Sequence, residues 1–178
     1  MSGHNKWSQI KNKKASEDAK KSTVFSMHAR AIAMEARAVN GNRGSARLRA
    51  AIEKARAANM PAENIERATL RGGGAGNESY EEVSYEVYGP GGTALIIVGM
   101  TDNKNRTAAE LRHLLGIHDA SLASPGSAEW AFVRSGDTWV PKVLTKVNEA
   151  DQRALELLID ALDEHADVKS IFSNAEKS

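Results

Sequence analysis

The sequence predicts an α+β protein, with an N-terminal three-helix domain followed by a ferredoxin-like βαββαβ domain that carries an extra N-terminal strand. Three observations point there. Apolar residues recur at about 3.6-residue spacing from Glu17 to Leu70. The spacing changes to two at Val83, Tyr85 and Val87. Between the two regimes lies the glycine-rich run GGGAG, residues 72–76. The expected organisation is a basic helical domain over 1–71, a Gly-rich linker over 72–79 and an acidic α/β domain over 80–178.

The first helix is expected from Glu17 to Val39, where Val24, Phe25, His28, Ile32, Ala36 and Val39 form the apolar stripe. Asn40 and Gly41 end it. Ser45 is a suitable N-cap for a second helix with Leu48, Ile52 and Ala55 inward, and Asn59 and Pro61 break that helix. Pro61 suits the first turn of a short third helix with Ile65, Ala68 and Leu70 inward and Glu63 near its positive end.

After the glycines, the alternation around Val83 describes a half-exposed strand, and GPGG at 89–92 turns the chain into TALIIVGM. That near-continuous apolar run is expected of a strand buried on both faces. Thr107 and Glu110 have capping-box spacing ahead of Leu111, Leu114 and Leu115. Residues 128–134 and 138–147 alternate around Ser135-Gly136, and Pro141 marks the second as an edge strand. Asn148 caps a helix bearing Leu155, Leu158, Ile159 and Leu162, and VKSIFS closes the βαββαβ order.

Charge is divided as sharply as periodicity. The chain has 24 Lys plus Arg and 23 Asp plus Glu in 178 residues. Residues 1–76 hold 15 basic against 6 acidic, a net of +9, and the remainder hold 9 against 17, a net of −8. Such asymmetry points to a polyanion bound by the basic half. The stretch KWSQIKNKKASEDAKK concentrates it in Lys6, Lys11, Lys13, Lys14, Lys20 and Lys21, with Trp7 placed either to stack on a base or to dock on the chain's own helices. Arg30 and Arg37 lie seven apart on one helix face, and Arg47 and Lys54 extend the basic surface onto the second helix. About five phosphate contacts would give a duplex-DNA salt slope of about −4 to −5.

Other chemistries find little support. With no cysteine, disulfides, thiolate metal sites and thiol nucleophiles are excluded. GGGAG and GPGG precede strands and lack the Gly-Lys-Ser/Thr ending of a phosphate loop. His113 and His118 fall about 140° apart on a helix, so they share no metal face. No catalytic triad or paired carboxylate stands out, so no enzyme activity, cofactor, metal or small-molecule substrate is expected. The start MSGHNKW has no apolar segment, and ALIIV at 94–98 is far short of a membrane span, which makes a cytoplasmic protein without membrane partners the expectation. The polar cluster TDNKNRT places Asp102, Asn103, Asn105 and Arg106 between a buried strand and a helix. They serve either an anion or partner site, or the turn and cap itself, and the structural role is preferred.

GHNKWSQIKNKKASEDAKK, LRAAIEKARAANMPAENIERA, YEEVSYEVYGPGG, TDNKNRTAAELRH, SPGSAEWAF and LLIDALDEHADVKSIFSNAE together closely resemble the YebC/PmpR family. That family includes bacterial proteins described as transcriptional regulators and the mitochondrial translational activator of cytochrome oxidase subunit I. Its members typically join a helical domain to two α/β domains, one inserted in the other. Here Trp130-Ala131-Phe132 passes almost directly into WVPKVLTKV, which resembles the strand that follows the insert, so the chain looks like a short form lacking most of it. Asn12, Glu17 and Lys104 stand where histidine, glutamine and arginine are common. The resemblance implies a nucleic-acid-binding regulator of gene expression. Its basic helices would act either as a DNA-binding transcriptional regulator or as a ribosome-associated translational activator on ribosomal RNA.

Overall fold

The computed structural model describes residues 17–75 and 79–176. The described residues divide into two units, one of residues 17–75 and 79–82 with Met100–Asn103, the other of 83–99 and 104–176.

The helical unit contains α1 (Glu17–Ala38), α2 (Ala46–Ala57) and α3 (Ala62–Leu70). Their stripes meet in a core of Ile32, Ala36, Leu48, Ala55, Met60, Ile65 and Ala68, as the periodicity predicts except at Val24 of α1, which is exposed. Ser45 occupies the N-cap of α2 and Pro61 that of α3. The end of α3 differs from expectation. Leu70 is 57% exposed, whereas Thr69 is buried, its hydroxyl donating to the Ile65 carbonyl at 2.8 Å. The polar side chain can go inward because the helix itself supplies its partner.

The glycine run also behaves differently from a free linker. Residues 71–75 form a π-helical turn continuing from α3. Gly72 is buried where a Cβ would stand 2.2 Å from the Ala33 carbonyl oxygen and 2.7 Å from the Ala36 Cβ. Glycine is required at that position for backbone to meet backbone, and this contact fastens the turn to α1.

The α/β unit has β1 (Glu81–Tyr88), β2 (Ala94–Thr101), α4 (Lys104–Ile117), β3 (Ser121–Leu122), β4 (Phe132–Ser135), β5 (Thr138–Pro141), α5 (Glu149–Glu164) and β6 (Val168–Ser173). The expected βαββαβ order is present with one unpredicted short strand, β3, inserted between α4 and β4, and the strands divide between two sheets. One has the order β3-β1-β2-β6, with the extra strand β1 inside it, and β4 and β5 form a separate antiparallel ribbon. Every residue of β2 is buried. Leu95 and Ile97 pack with Leu111 and Leu115 of α4 and Leu155, Leu158 and Leu162 of α5. Ala94, Ile96 and Val98 pack with Ala128, Ala131 and Phe132, and with Trp139 of the ribbon. The ribbon thus covers the second sheet face instead of extending the sheet, which is why β2 reads as a continuous apolar run. Strand pairing stops at Pro141 rather than reaching residue 147, because proline has no N–H for a ladder.

Polar ties hold this covering layer. Buried Asn174 accepts from the Ala94 N–H at 2.7 Å and donates to the Val143 carbonyl at 3.1 Å and to Thr145 Oγ1 at 3.0 Å. Glu86 on β1 accepts backbone N–H groups from Gly126, from Ala128 at 2.6 Å and from Glu129 at 2.8 Å. Burial alone would raise its carboxyl pKa, but these three N–H bonds outweigh burial and hold it below the ordinary 4.5. The folded state therefore binds this proton less readily than the unfolded chain. The stabilisation is complete above the unfolded pKa and is lost as pH falls through the lower folded value. Glu86→Gln is expected to lower stability by about 1–2 kcal/mol at neutral pH, with the gap to wild type closing in acid. Urea midpoints at neutral pH and below the carboxylate range check both parts.

Candidate nucleic-acid interface

Lys6, Trp7, Lys11, Lys13 and Lys14 lie outside the described residues. Lys20 and Lys21 fall in the first turns of α1. The surface that the structure defines in full is that of α2.

At about 100° per residue, the buried stripe of Leu48 and Ala55 has a basic shoulder on each side. Arg47 and Lys54 lie on one, Arg49 and Arg56 on the other, and all four are exposed. None has an acidic partner among the described residues. Between the shoulders the outer crest carries small side chains, the exposed Ala46, Ala50 and Ala57, together with Glu53. Such a helix can approach a nucleic-acid groove closely while cations on both shoulders reach phosphates.

Helix stability accounts for only half of this arrangement. Lys54 and Arg56 lie in the last turn of α2, where they complement the helix dipole. Arg47 and Arg49 lie near the positive end, and the first turn has no acid to offset them. Each opposes the dipole there by about 0.3–1 kcal/mol, a cost that a bound anion would reverse.

Other cations of this unit are already engaged. Arg43 pairs with Glu66, and Arg67 with Glu63 at 2.9 Å. Arg30 donates to the Met100 carbonyl at 3.3 Å and lies 5.5 Å from the Tyr80 ring centroid. Arg37 is exposed in the last turn of α1. His28 of α1 is half-buried; burial first, and then the positive charge of Lys54, hold its pKa below 6.5, so it is neutral at physiological pH. The sequence pattern placed Arg56 on the same basic helix and Arg43 and Arg49 close by, and proposed Arg47 and Lys54 as its contacts. What the structure adds is that all four cations of α2 are exposed and none has an acidic partner among the described residues.

The 102–106 stretch does not form one cluster. Asp102 and Asn103 group with the helical unit, and the Asn103 N–H donates to Thr101 Oγ1 at 2.9 Å. Helix α4 starts at Lys104, so Thr107 lies inside it rather than capping it. Arg106 and Thr107 instead donate to the buried Asp167 carboxylate at 2.9 and 2.6 Å. Asn105 is exposed in the first turn of α4.

Glu110, His165 and Asp167 bring ligand-type atoms within 4.8 Å of one another. Their protein partners account for the grouping. The Asp167 N–H donates to His165 Nδ1 at 3.1 Å, which leaves the proton on Nε2, 3.1 Å from Glu110. Arg106 adds a positive charge where a metal would sit. The cluster therefore braces α4 against the start of β6. Among the described residues no helix is long and apolar enough to cross a membrane.

Residues 5–75 match the family model described as the TACO1/YebC protein N-terminal domain, and residues 80–137 match that of the TACO1/YebC second and third domain. The second match ends in the β4–β5 turn. A probable transcriptional regulatory protein of Thermotoga petrophila is 50% identical over 169 residues, covering 94% of this chain and 64% of the relative. One of Chloroherpeton thalassium, with the same description, is 47% identical over 163 residues, covering 90% of this chain and 64% of the relative. The chain thus spans less than two thirds of the length of these relatives. The crystal structure of a conserved hypothetical protein, Aq1575, from Aquifex aeolicus is similar with a TM-score of 0.83 and 31% identity, covering 96% of each chain.

Proposed function

The chain belongs to the TACO1/YebC family, and from that premise we propose that it is a non-enzymatic, cytoplasmic, nucleic-acid-binding regulator of gene expression. It acts as a transcriptional regulator that grips duplex DNA through the phosphate backbone. The observation that carries this reading is α2, with four exposed cations on two shoulders and two of them placed against the helix dipole. The names of the relatives support it. The lysines from Lys6 to Lys21, with Trp7 and Arg37, extend the contact along the strand. The acidic α/β unit keeps its own surface off the polyanion, and exposed Asn105 is the part of the 102–106 stretch offered to a partner. In this reading the β4–β5 turn stands where longer relatives carry their inserted domain.

A second reading, a ribosome-associated translational activator on ribosomal RNA, is favoured by a groove between α1 and α3 lined with aromatic and guanidinium groups. Such a lining suits unpaired bases, which a promoter duplex does not offer. Sedimentation of the tagged full chain from lysate, with and without ribonuclease, tests the two. Retention on DNA after ribonuclease supports the transcriptional role, and ribosome co-migration abolished by ribonuclease moves the function to translation. If the chain binds neither nucleic acid nor ribosomes at low salt, the proposal is wrong.

A further inference from the structure

The α1–α3 groove has a volume of about 640 Å³, ample for a nucleotide. Small side chains create the space. Ala29 and Ala33 of α1 face Ala68 of α3 across a floor that includes Met60. Aromatic rings border the groove, Phe25 from α1 and Tyr80 from the segment before β1. Arg30 holds the Tyr80 ring by stacking on it, and the Met100 carbonyl anchors that guanidinium in turn. Asn64 adds an amide that can both donate to and accept from a base edge. Arg67 and Arg71 line the same groove, and Arg71 is exposed with no acidic partner among the described residues.

We propose that this groove binds one unpaired nucleotide of a polynucleotide strand, with the base on the alanine floor against an aromatic ring and its phosphate on Arg71. The inference rests on the nucleic-acid reading above and deepens it. An apolar floor alone would suit many ligands. The Arg71 guanidinium beside aromatic faces, with the Asn64 amide in the same lining, has the chemistry of single-strand recognition. A duplex keeps its bases stacked and cannot fill the groove. The α2 shoulders, by contrast, need only phosphates, so the two surfaces make separable contributions.

The full-length chain is tested with a short single-stranded oligoribonucleotide, its deoxy equivalent, an abasic strand of equal length and a duplex. Arg71→Gln and Asn64→Leu are each expected to weaken single-strand binding about tenfold and duplex binding by less than about twofold. Asn64→Leu leaves abasic-strand binding unchanged. The Met60 methyl resonance of the wild type shifts with either base-containing single strand and not with the abasic one, a readout independent of the variants' folding. An unmoved Met60 methyl, or variants that bind single strands like wild type, overturns the inference; if duplex binding persists, the proposed function still stands. An acidic peptide that shifts the Met60 methyl and displaces the oligonucleotide overturns it in favour of a protein ligand. Absence of any nucleic-acid binding removes both.

Discussion

Replacing Arg47, Arg49, Lys54 and Arg56 together by glutamine is expected to weaken duplex binding by about 10²–10³ near 0.1 M salt, and to flatten the log–log salt dependence by about 3–4. Each cation that reaches a phosphate releases about 0.9 counterion, so four contacts account for that change in slope. Glutamine removes the charge while keeping a similar helix propensity, and the four positions lie off the buried stripe of Leu48 and Ala55, which is untouched. The accompanying effect on stability separates this prediction from simple unfolding. Arg47→Gln with Arg49→Gln removes two cations from the positive end of α2 and is expected to raise stability by a few tenths to about 1 kcal/mol. Lys54→Gln with Arg56→Gln removes two favourable charges at the other end and lowers it by a similar amount. Titrations at several salt concentrations, together with thermal melts of both double variants, check all of this. A salt slope unchanged in the quadruple variant would show that α2 does not contact phosphate.

The second large effect is on folding. Gly72→Ala would place a methyl 2.2 Å from the Ala33 carbonyl oxygen, 2.9 Å from its carbonyl carbon and 2.7 Å from the Ala36 Cβ. These are helix-backbone and core atoms of α1, with no flexible side-chain end to yield. A loss of about 3 kcal/mol or more is expected, lowering the melting temperature by about 6–12 °C. Gly73→Ala, one residue along, provides the control. Its added methyl would find its nearest neighbour, the Gly41 Cα, at 3.4 Å, an ordinary contact, and the change is expected to be nearly neutral. Comparable losses in both variants would mean that the glycines act through chain flexibility rather than through close packing.

The contrast between Gly72 and Gly73 shows where local pattern stops being informative. Read along the chain, four glycines and an alanine describe a linker, because nothing local distinguishes a free glycine from one pressed against another helix. The same limit applies to charge. Arg43, Arg67 and Arg47 look alike in sequence, yet Glu66 and Glu63 neutralise the first two while Arg47 has no acid beside it. In the 102–106 stretch, the sequence left Arg106 between an anion site and a structural role and preferred the latter, but could not name its partner, the buried carboxylate of Asp167 sixty-one residues further along the chain. The groove around Tyr80 left no signal at all, since its lining is gathered from three separated segments.

What the sequence determined by itself is whatever one turn of helix or one strand can record. That comprises the three helices and their core faces, the double-sided burial of β2, the βαββαβ order and the separation of basic from acidic halves. These follow from periodicity and composition, which are properties of neighbouring residues. Tertiary structure alone decided that β4 and β5 cover the sheet instead of joining it, that Gly72 is a packing contact, and which arginines keep an unneutralised charge. Each of those depends on a partner distant in sequence, and side-chain identity encodes which face is apolar far more directly than what that face will meet.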